Sequence, residues 1–272
     1  MPRKLVRVTP AKLATWGDCP RRYRMTYLDR PTPPRGAPWA HATLGAVVHN
    51  ALRAFFDLPI PKRTPSAAAA LVVSNWHDDG FANGLQAAEY RSRAQDWVAD
   101  YVAKLDVEED PVGVERWVSA PVGPIIAEGR VDRIDLREGE LVIVDYKTGR
   151  QALTTDDTRG SLALAMYAVA ARRTLHRPCQ RVELHHLPTG EILAWSHTTE
   201  SLARHLGRAE AIAEECAAAD ERMRDGLPAG AYDEVFPPRP GPSCAWCDYR
   251  RHCPEGTKAA PARRPWDGLA AD

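Results

Sequence analysis

No run of the sequence approaches 18 apolar residues, which argues against a membrane-spanning helix. The opening Met1-Pro2-Arg3-Lys4 lacks the apolar core of a secretory leader, so a cytoplasmic protein with no membrane partner is expected. The chain also lacks net charge: 36 Lys plus Arg balance 36 Asp plus Glu, so composition alone announces no nucleic-acid partner. An acidic cluster in one place would mask basic residues elsewhere in that sum. Lysine is scarce, six against thirty arginines, which makes each lysine position informative. Cysteine is scarce too, and six thiols in a reducing compartment are metal ligands or buried side chains rather than disulfides. No internal repeat and no Gly-x4-Gly-Lys-Ser/Thr string occurs, so no P-loop is encoded here.

What remains is ordinary globular composition, 44% hydrophobic and 26% charged over 272 residues, enough to bury a substantial core. Leu13, Trp16, Cys19 and Tyr23 fall at helical spacing in 9–28, with Pro20 either interrupting that helix or starting a second. Residues 30–40 read as a loop. A helix over 41–57 carries Leu44, Val47, Val48, Leu52 and Phe55 on one stripe and stops at Pro59 and Pro61. A helical insertion, 58–110, follows, broken near Asp79-Gly80. Strand-like sequence covers 112–122, then a hairpin at 125–147, a helix at 158–175, and two strands, 181–187 and 191–197, joined by Pro188-Thr189-Gly190. Thr199 and Glu200 suit the start of a long helix reaching Arg224. One α/β domain over 1–257 is expected, with a proline-rich C-terminal segment and a disordered tail at 258–272.

The hairpin concentrates the chemistry. Glu128-Gly129-Arg130-Val131-Asp132 leads to a turn at Glu138-Gly139, and Val144-Asp145-Tyr146-Lys147 returns. Symmetric pairing about that turn makes partner numbers sum to 277, placing Ile134 opposite Ile143, Asp132 opposite Asp145 and Arg130 opposite Lys147 on one face. Opposed Cβ atoms lie about 4.5–5.5 Å apart, where like charges repel unless a cation sits between them. Asp132 and Asp145, with the Tyr146 carbonyl, would hold Mg²⁺ or Mn²⁺, which acidifies a water and stabilises charge on phosphate. Lys147 shares their cleft and, unlike arginine, is able to give up a proton. The same string also fits an exposed hairpin end with solvated charges, and a bulge would separate the carboxylates.

Near the C-terminus, Cys244-x2-Cys247-x5-Cys253 (the segment 244–253) lacks one donor, which Cys19 or His252 would supply. On local spacing alone this set favours Zn²⁺ over an iron–sulfur cluster. Cys179 and Cys216 fit no motif and read as buried apolar residues.

Taken in order, Gly45-Ala-Val-Val-His49, Gly129-Arg-Val-Asp132, Val144-Asp145-Tyr-Lys147-Thr-Gly149 and a later helix carrying Tyr167 resemble the RecB-like exonucleases of the PD-(D/E)XK superfamily, over roughly 10–255. The resemblance implies a restriction-endonuclease-like fold, a mixed central sheet flanked by helices. It makes His49 a third metal ligand, with Gly45 letting its helix approach the sheet. It also assigns Tyr167 to the active site and to DNA, although Ala163 stands where the family carries glutamine and Val131 where it carries proline. For the iron–sulfur subset, found in CRISPR adaptation and in a helicase-nuclease, it implies a [4Fe–4S] cluster on Cys19, Cys244, Cys247 and Cys253 that staples the chain ends together. Arg21 and Arg22, with Arg24, Arg250 and Arg251, then offer a DNA path near the cluster, and Trp246 and Tyr249 offer stacking surfaces.

The expected activity is metal-dependent exonucleolytic hydrolysis of DNA, on single strands or ends, in repair, recombination or CRISPR adaptation. A separate helicase or a CRISPR adaptation protein would be its partner. Two alternatives are a non-catalytic module binding DNA ends, which would have lost the lysine or a carboxylate, and a redox sensor, which would leave the hairpin carboxylates without a role.

Overall fold

The computed structural model describes residues 5–228 and 230–269. A short strand β1 (Val6–Val8) ends where Thr9 caps α1 (Pro10–Asp18), its side chain accepting from the Lys12 N–H with Pro10 in the first turn. Cys19 closes α1 and opens α2 (Pro20–Tyr27), so Pro20 starts a second helix rather than interrupting the first. The stripe expected at 41–57 forms α3 (Ala40–Phe56). The insertion holds α4 (Pro65–Ser74) and α5 (Gly84–Val102), capped by Thr64 and Asn83. Between them Gly80 has φ 84°, and a Cβ there would meet the Pro38 carbonyl at 2.5 Å.

β2 (Gly113–Val122), β3 (Ile125–Arg137) and β4 (Glu140–Lys147) form a meander, followed by α6 (Thr155–Gly160) and α7 (Leu162–Leu175). The helix expected at 158–175 is thus two, because Ser161 breaks the first and caps the second. β5 (Cys179–His186) and β6 (Glu191–Ser196) precede α8 (Thr199–Arg224). The cap of α8 is Thr198, which accepts from the Ser201 N–H; Thr199, expected in that role, is already helical. Two short helices complete the chain, α9 (Tyr232–Val235) and α10 (Pro254–Ala259).

The sheet is mixed and runs β1-β3-β4-β5-β6, with β2 on β3. β2 lies along one edge of β3, and β1 and β4 must therefore share the other. The Glu138-Gly139 turn has both residues at positive φ, as tight hairpins require. Register sums to 277 from Arg137↔Glu140 to Arg133↔Val144, as the sequence predicts, and the paired ladder ends there. One face of the sheet, with Val131, Ile134, Leu141 and Ile143, packs under α7 and α8. On the other, Val142, Val144 and Tyr146 pack under α3, α4 and α5. A mixed sheet flanked by helices, as in restriction endonucleases, is the result. The expected disordered tail is instead ordered up to its last described residue, because Trp266 and Leu269 anchor it to the α3 core; residues 270–272 lie outside the described residues.

His197 tests the packing beside α8. Its Nδ1 lies 2.9 Å from Ser201 Oγ, its Nε2 has no partner, and it is 2% exposed. Burial first, then the His205 charge, lowers its pKa from 6.5 to about 4. Below pH 6.5 the unfolded chain takes a proton that the folded one refuses, so stability falls as pH drops from 6.5 towards 4, by up to about 3 kcal/mol. In urea unfolding at several pH values, His197→Gln should flatten the stability slope between those limits; a slope equal to wild type would remove His197 as its source.

Candidate metal centre and active site

The site forms where the sheet comes apart. β1 pairs with residues 125–127 of β3 and β4 with residues 133–137, which leaves 128–132 on that edge with no strand partner among the described residues. Beyond Val144 the ladder gives way to a side chain: Asp132 Oδ2 accepts from the Tyr146 N–H at 2.9 Å. On the opposite edge the β2–β3 ladder also skips a step. Val114 pairs with Arg133 and Arg116 with Val131, while Glu115 between them has φ 47°. The core-facing pattern on β3 changes parity here, from Val131 to Ile134, while the β2–β3 register keeps its sum of 247. Glu115 is thereby left opposite Asp132.

His49, Glu115 and Asp132 each offer one ligand atom, all within 4.8 Å of one another. His49 Nδ1 lies 3.5 Å from Asp132 Oδ2 and 3.8 Å from Glu115 Oε1. Its Nε2 faces the Tyr146 carbonyl at 3.3 Å, so that oxygen fixes the imidazole and keeps one lone pair for a cation. Gly45 permits this approach of α3, since a Cβ there would stand 3.3 Å from Thr148 Oγ1. Asp145 stays outside the set and pairs with Lys147, Oδ2 to Nζ 2.5 Å. Glu115 was absent from the expected site. Symmetric pairing about the second turn, Gly123-Pro124, makes sums of 247 and places Glu115 opposite Asp132; the signal was there to use.

Charge in this cluster is unbalanced. Burial alone would lower the His49 pKa, but Asp132 and Glu115 as hydrogen-bond partners, with the charges of Asp132 and Asp145, raise it to about 10. Burial raises Asp145 above the ordinary carboxylate range; Lys147 opposes that shift and Asp132 adds to it. Tyr167, pushed up to about 12 by burial and then by the charges of Asp145 and Asp132, remains a hydrogen-bond donor. It reaches the cluster across Gly129, whose absent Cβ would come 2.6 Å from Tyr167 Cε1. Several carboxylates and a forced-protonated histidine form a donor set that a divalent cation fits.

The four cysteines Cys19, Cys244, Cys247 and Cys253 line one pocket, although no three of their sulfurs lie within 4.8 Å of one another among the described residues. Gly256 keeps this pocket open: a Cβ there would stand 3.4 Å from both the Cys244 and the Cys253 sulfur. Cys179 and Cys216 are buried elsewhere, their thiols pushed up to about 12 by burial. Arg21 is not the exposed DNA contact expected. It is 6% exposed, with Asp233 at 2.8 Å, Glu255 at 2.5 Å and the Cys253 sulfur at 3.2 Å. Arg24 pairs with Asp29, and Arg250 and Arg251 bind carbonyls of 257, 260, 34 and 35. Tyr249 is buried, and Trp246 packs against Trp39 and His41, so neither offers an open stacking face of the kind expected. Arg22 remains partly exposed, 3.6 Å from Asp18.

The sequence matches the family described as the PD-(D/E)XK nuclease superfamily over residues 7–254. None of the curated proteins matches. The crystal structure of an exonuclease candidate from Eubacterium rectale superposes with a TM-score of 0.50 at 12% identity, over 90% of this chain and 86% of that one. A second crystal structure, of SSO0001, covers 91% of this chain and 85% of its own at 13% identity, but its TM-score of 0.37 carries no weight.

Glu115 gives the sharpest test of the cluster. Calorimetric titration with Mn²⁺ should show Glu115→Gln binding at least about tenfold more weakly than wild type, as should Asp132→Asn. Ligation requires neutral imidazole, so wild-type affinity should climb with pH up to about 10, with a proton released on binding. Unchanged affinity in Glu115→Gln would remove it from the site.

Proposed function

The chain belongs to the PD-(D/E)XK nuclease superfamily, and from that premise we propose a metal-dependent exonuclease of the RecB-like branch, hydrolysing DNA phosphodiesters in single strands or at ends. The observation that carries this proposal is the convergence of Asp145 and Lys147, at the end of β4, with the His49–Glu115–Asp132 set. Mg²⁺ or Mn²⁺ held there supplies the charge that acidifies the attacking water and neutralises the phosphate. Asp132 and Glu115 provide negative oxygens, and His49, oriented by the Tyr146 carbonyl, provides a nitrogen. Asp145 holds Lys147 at the mouth of the cleft, where its ammonium takes up charge on the scissile phosphate or its amine accepts the water proton. Tyr167, protonated at neutral pH, donates to a phosphate oxygen, and Arg22 contributes to the backbone path.

The cysteine pocket supports a [4Fe–4S] cluster on Cys19, Cys244, Cys247 and Cys253, with Zn²⁺ as the alternative occupant. Four thiols around one space, and a glycine where a side chain would intrude, fit either. Arg21 donates to the Cys253 sulfur at the edge of this pocket. DNA processing in repair, recombination or CRISPR adaptation, beside a separate helicase or adaptation protein, follows from the resemblance to the RecB-like branch.

End-labelled single- and double-stranded DNA with Mg²⁺ or Mn²⁺ tests the activity. Wild type should shorten the labelled strand, and Lys147→Ala should lose at least about 100-fold in rate. Equal rates would sink the role of Lys147, and no cleavage by wild type would favour a DNA-end-binding module. Protein purified without oxygen should absorb near about 400 nm and contain iron; zinc without that band would exclude the cluster.

A further inference from the structure

We propose that the uncovered face of the β2–β3 pair, centred on Trp117 and Arg130, binds an unpaired nucleotide of the substrate strand, stacking its base on the indole and holding its phosphate with the guanidinium. This deepens the nuclease proposal above and rests on it.

The sheet is covered unevenly. On the α7 side of β2 and β3, Val118, Ala120, Val122, Ala127 and Val131 are buried. The alternate residues on the other face are left half-buried or exposed, since α3 and the insertion pack over β4. On this open face Trp117 is 55% exposed, and it stands directly across the ladder from Arg130. Isolated exposed apolar residues are ordinary. An indole paired cross-strand with an arginine, a short step from a metal-ligand set, is a narrower arrangement. Arg130 Nε lies 2.7 Å from Glu115 Oε2, so the guanidinium already touches the cluster.

Charge favours a phosphate-bearing strand here once the cluster is loaded. Glu115 is shared between Arg130 and the His49–Asp132 set. A cation held by that set would draw on the Glu115 charge and leave less of it for Arg130, whose side chain is 65% exposed. Further along the face Glu128 is neutralised by Arg7 at 2.8 Å and lies 3.4 Å from Ser119 Oγ. In a duplex, both faces of each internal base are occupied by its neighbours, so a broad exposed indole selects an unpaired base. Base–aromatic stacking tolerates any sequence, which suits an enzyme that consumes a strand.

Fluorescence anisotropy of a labelled oligothymidylate, with Ca²⁺ in place of Mg²⁺ to hold cleavage back, tests the platform. Trp117→Ala should bind about tenfold more weakly than wild type, and Trp117→Phe should keep most of the affinity. An oligomer of abasic sites should bind the wild type and Trp117→Ala alike, because it has no base to stack. Oligouridylate in parallel tells whether the unpaired nucleotide is accepted from RNA as well as DNA. Matching melting temperatures would show that the variants fold. Equal affinity of Trp117→Ala and wild type for oligothymidylate, with the wild type still cleaving single strands in Mg²⁺, would overturn the platform and leave the nuclease standing. A wild type that neither binds nor cleaves would overturn both.

Discussion

Asp132 accepts a hydrogen bond from the Tyr146 N–H, and the site depends on that substitution of a side chain for a ladder bond. In an uninterrupted hairpin, a strand partner would continue along β3 past Val144. Here β1 and β4 divide one edge of β3, and the stretch between them is left for chemistry. Pro10, in the first turn of α1 directly after β1, turns the chain away and keeps β1 from closing the gap. A cleft at the end of a splayed hairpin can draw ligands from both sides of the sheet. His49 comes from the α3 side and Tyr167 from the α7 side, which a flat, continuous sheet would keep apart.

Electrostatics decides what the cleft does. Three carboxylates converge with one lysine and one histidine, and Arg130 closes one flank. Proteins balance such clusters with protons or with metal. The strongly raised His49 pKa shows the first arrangement, and the geometry of the donor atoms suits the second. The same imidazole therefore serves as internal counter-ion without metal and as ligand with it. Lys147 is held by Asp145 rather than by the chelating set, so its charge need not be spent on the cation's ligands.

Much of this was legible in the sequence, and the failures have physical causes. The 277 register could be read because a two-residue turn fixes strand pairing. The same symmetry about Gly123-Pro124 sets Glu115 opposite Asp132, although Glu115 belongs to no motif of its own. β1 escaped notice because three residues carry no periodic signal; its partner on β3 is what makes it a strand. Arg21 misled because arginines beside cysteines look like a phosphate path. Its true partners, Asp233 and Glu255, are remote in sequence, and only the fold brings them together. The tail reads as disorder from its prolines and glycines, yet Trp266 and Leu269 suffice to hold it on the α3 core.

That packing ties the chain ends to the chemistry by different routes. The tail lies on the helix that carries His49, the Ala40 N–H bonds to the Pro265 carbonyl, and Arg150, just past Lys147, bonds to the Leu269 carbonyl. One strap thus touches both the α3 start and the loop that follows β4. The cysteine pocket joins α1 and α2 to the segment from which that strap departs. An occupant of the pocket would fix where the strap begins, and Trp266 and Leu269 fix where it lands. Loss of the cysteines should therefore loosen the α3 side of the cleft before the α7 side. The α7 side is held independently, by the buried apolar cluster beneath it.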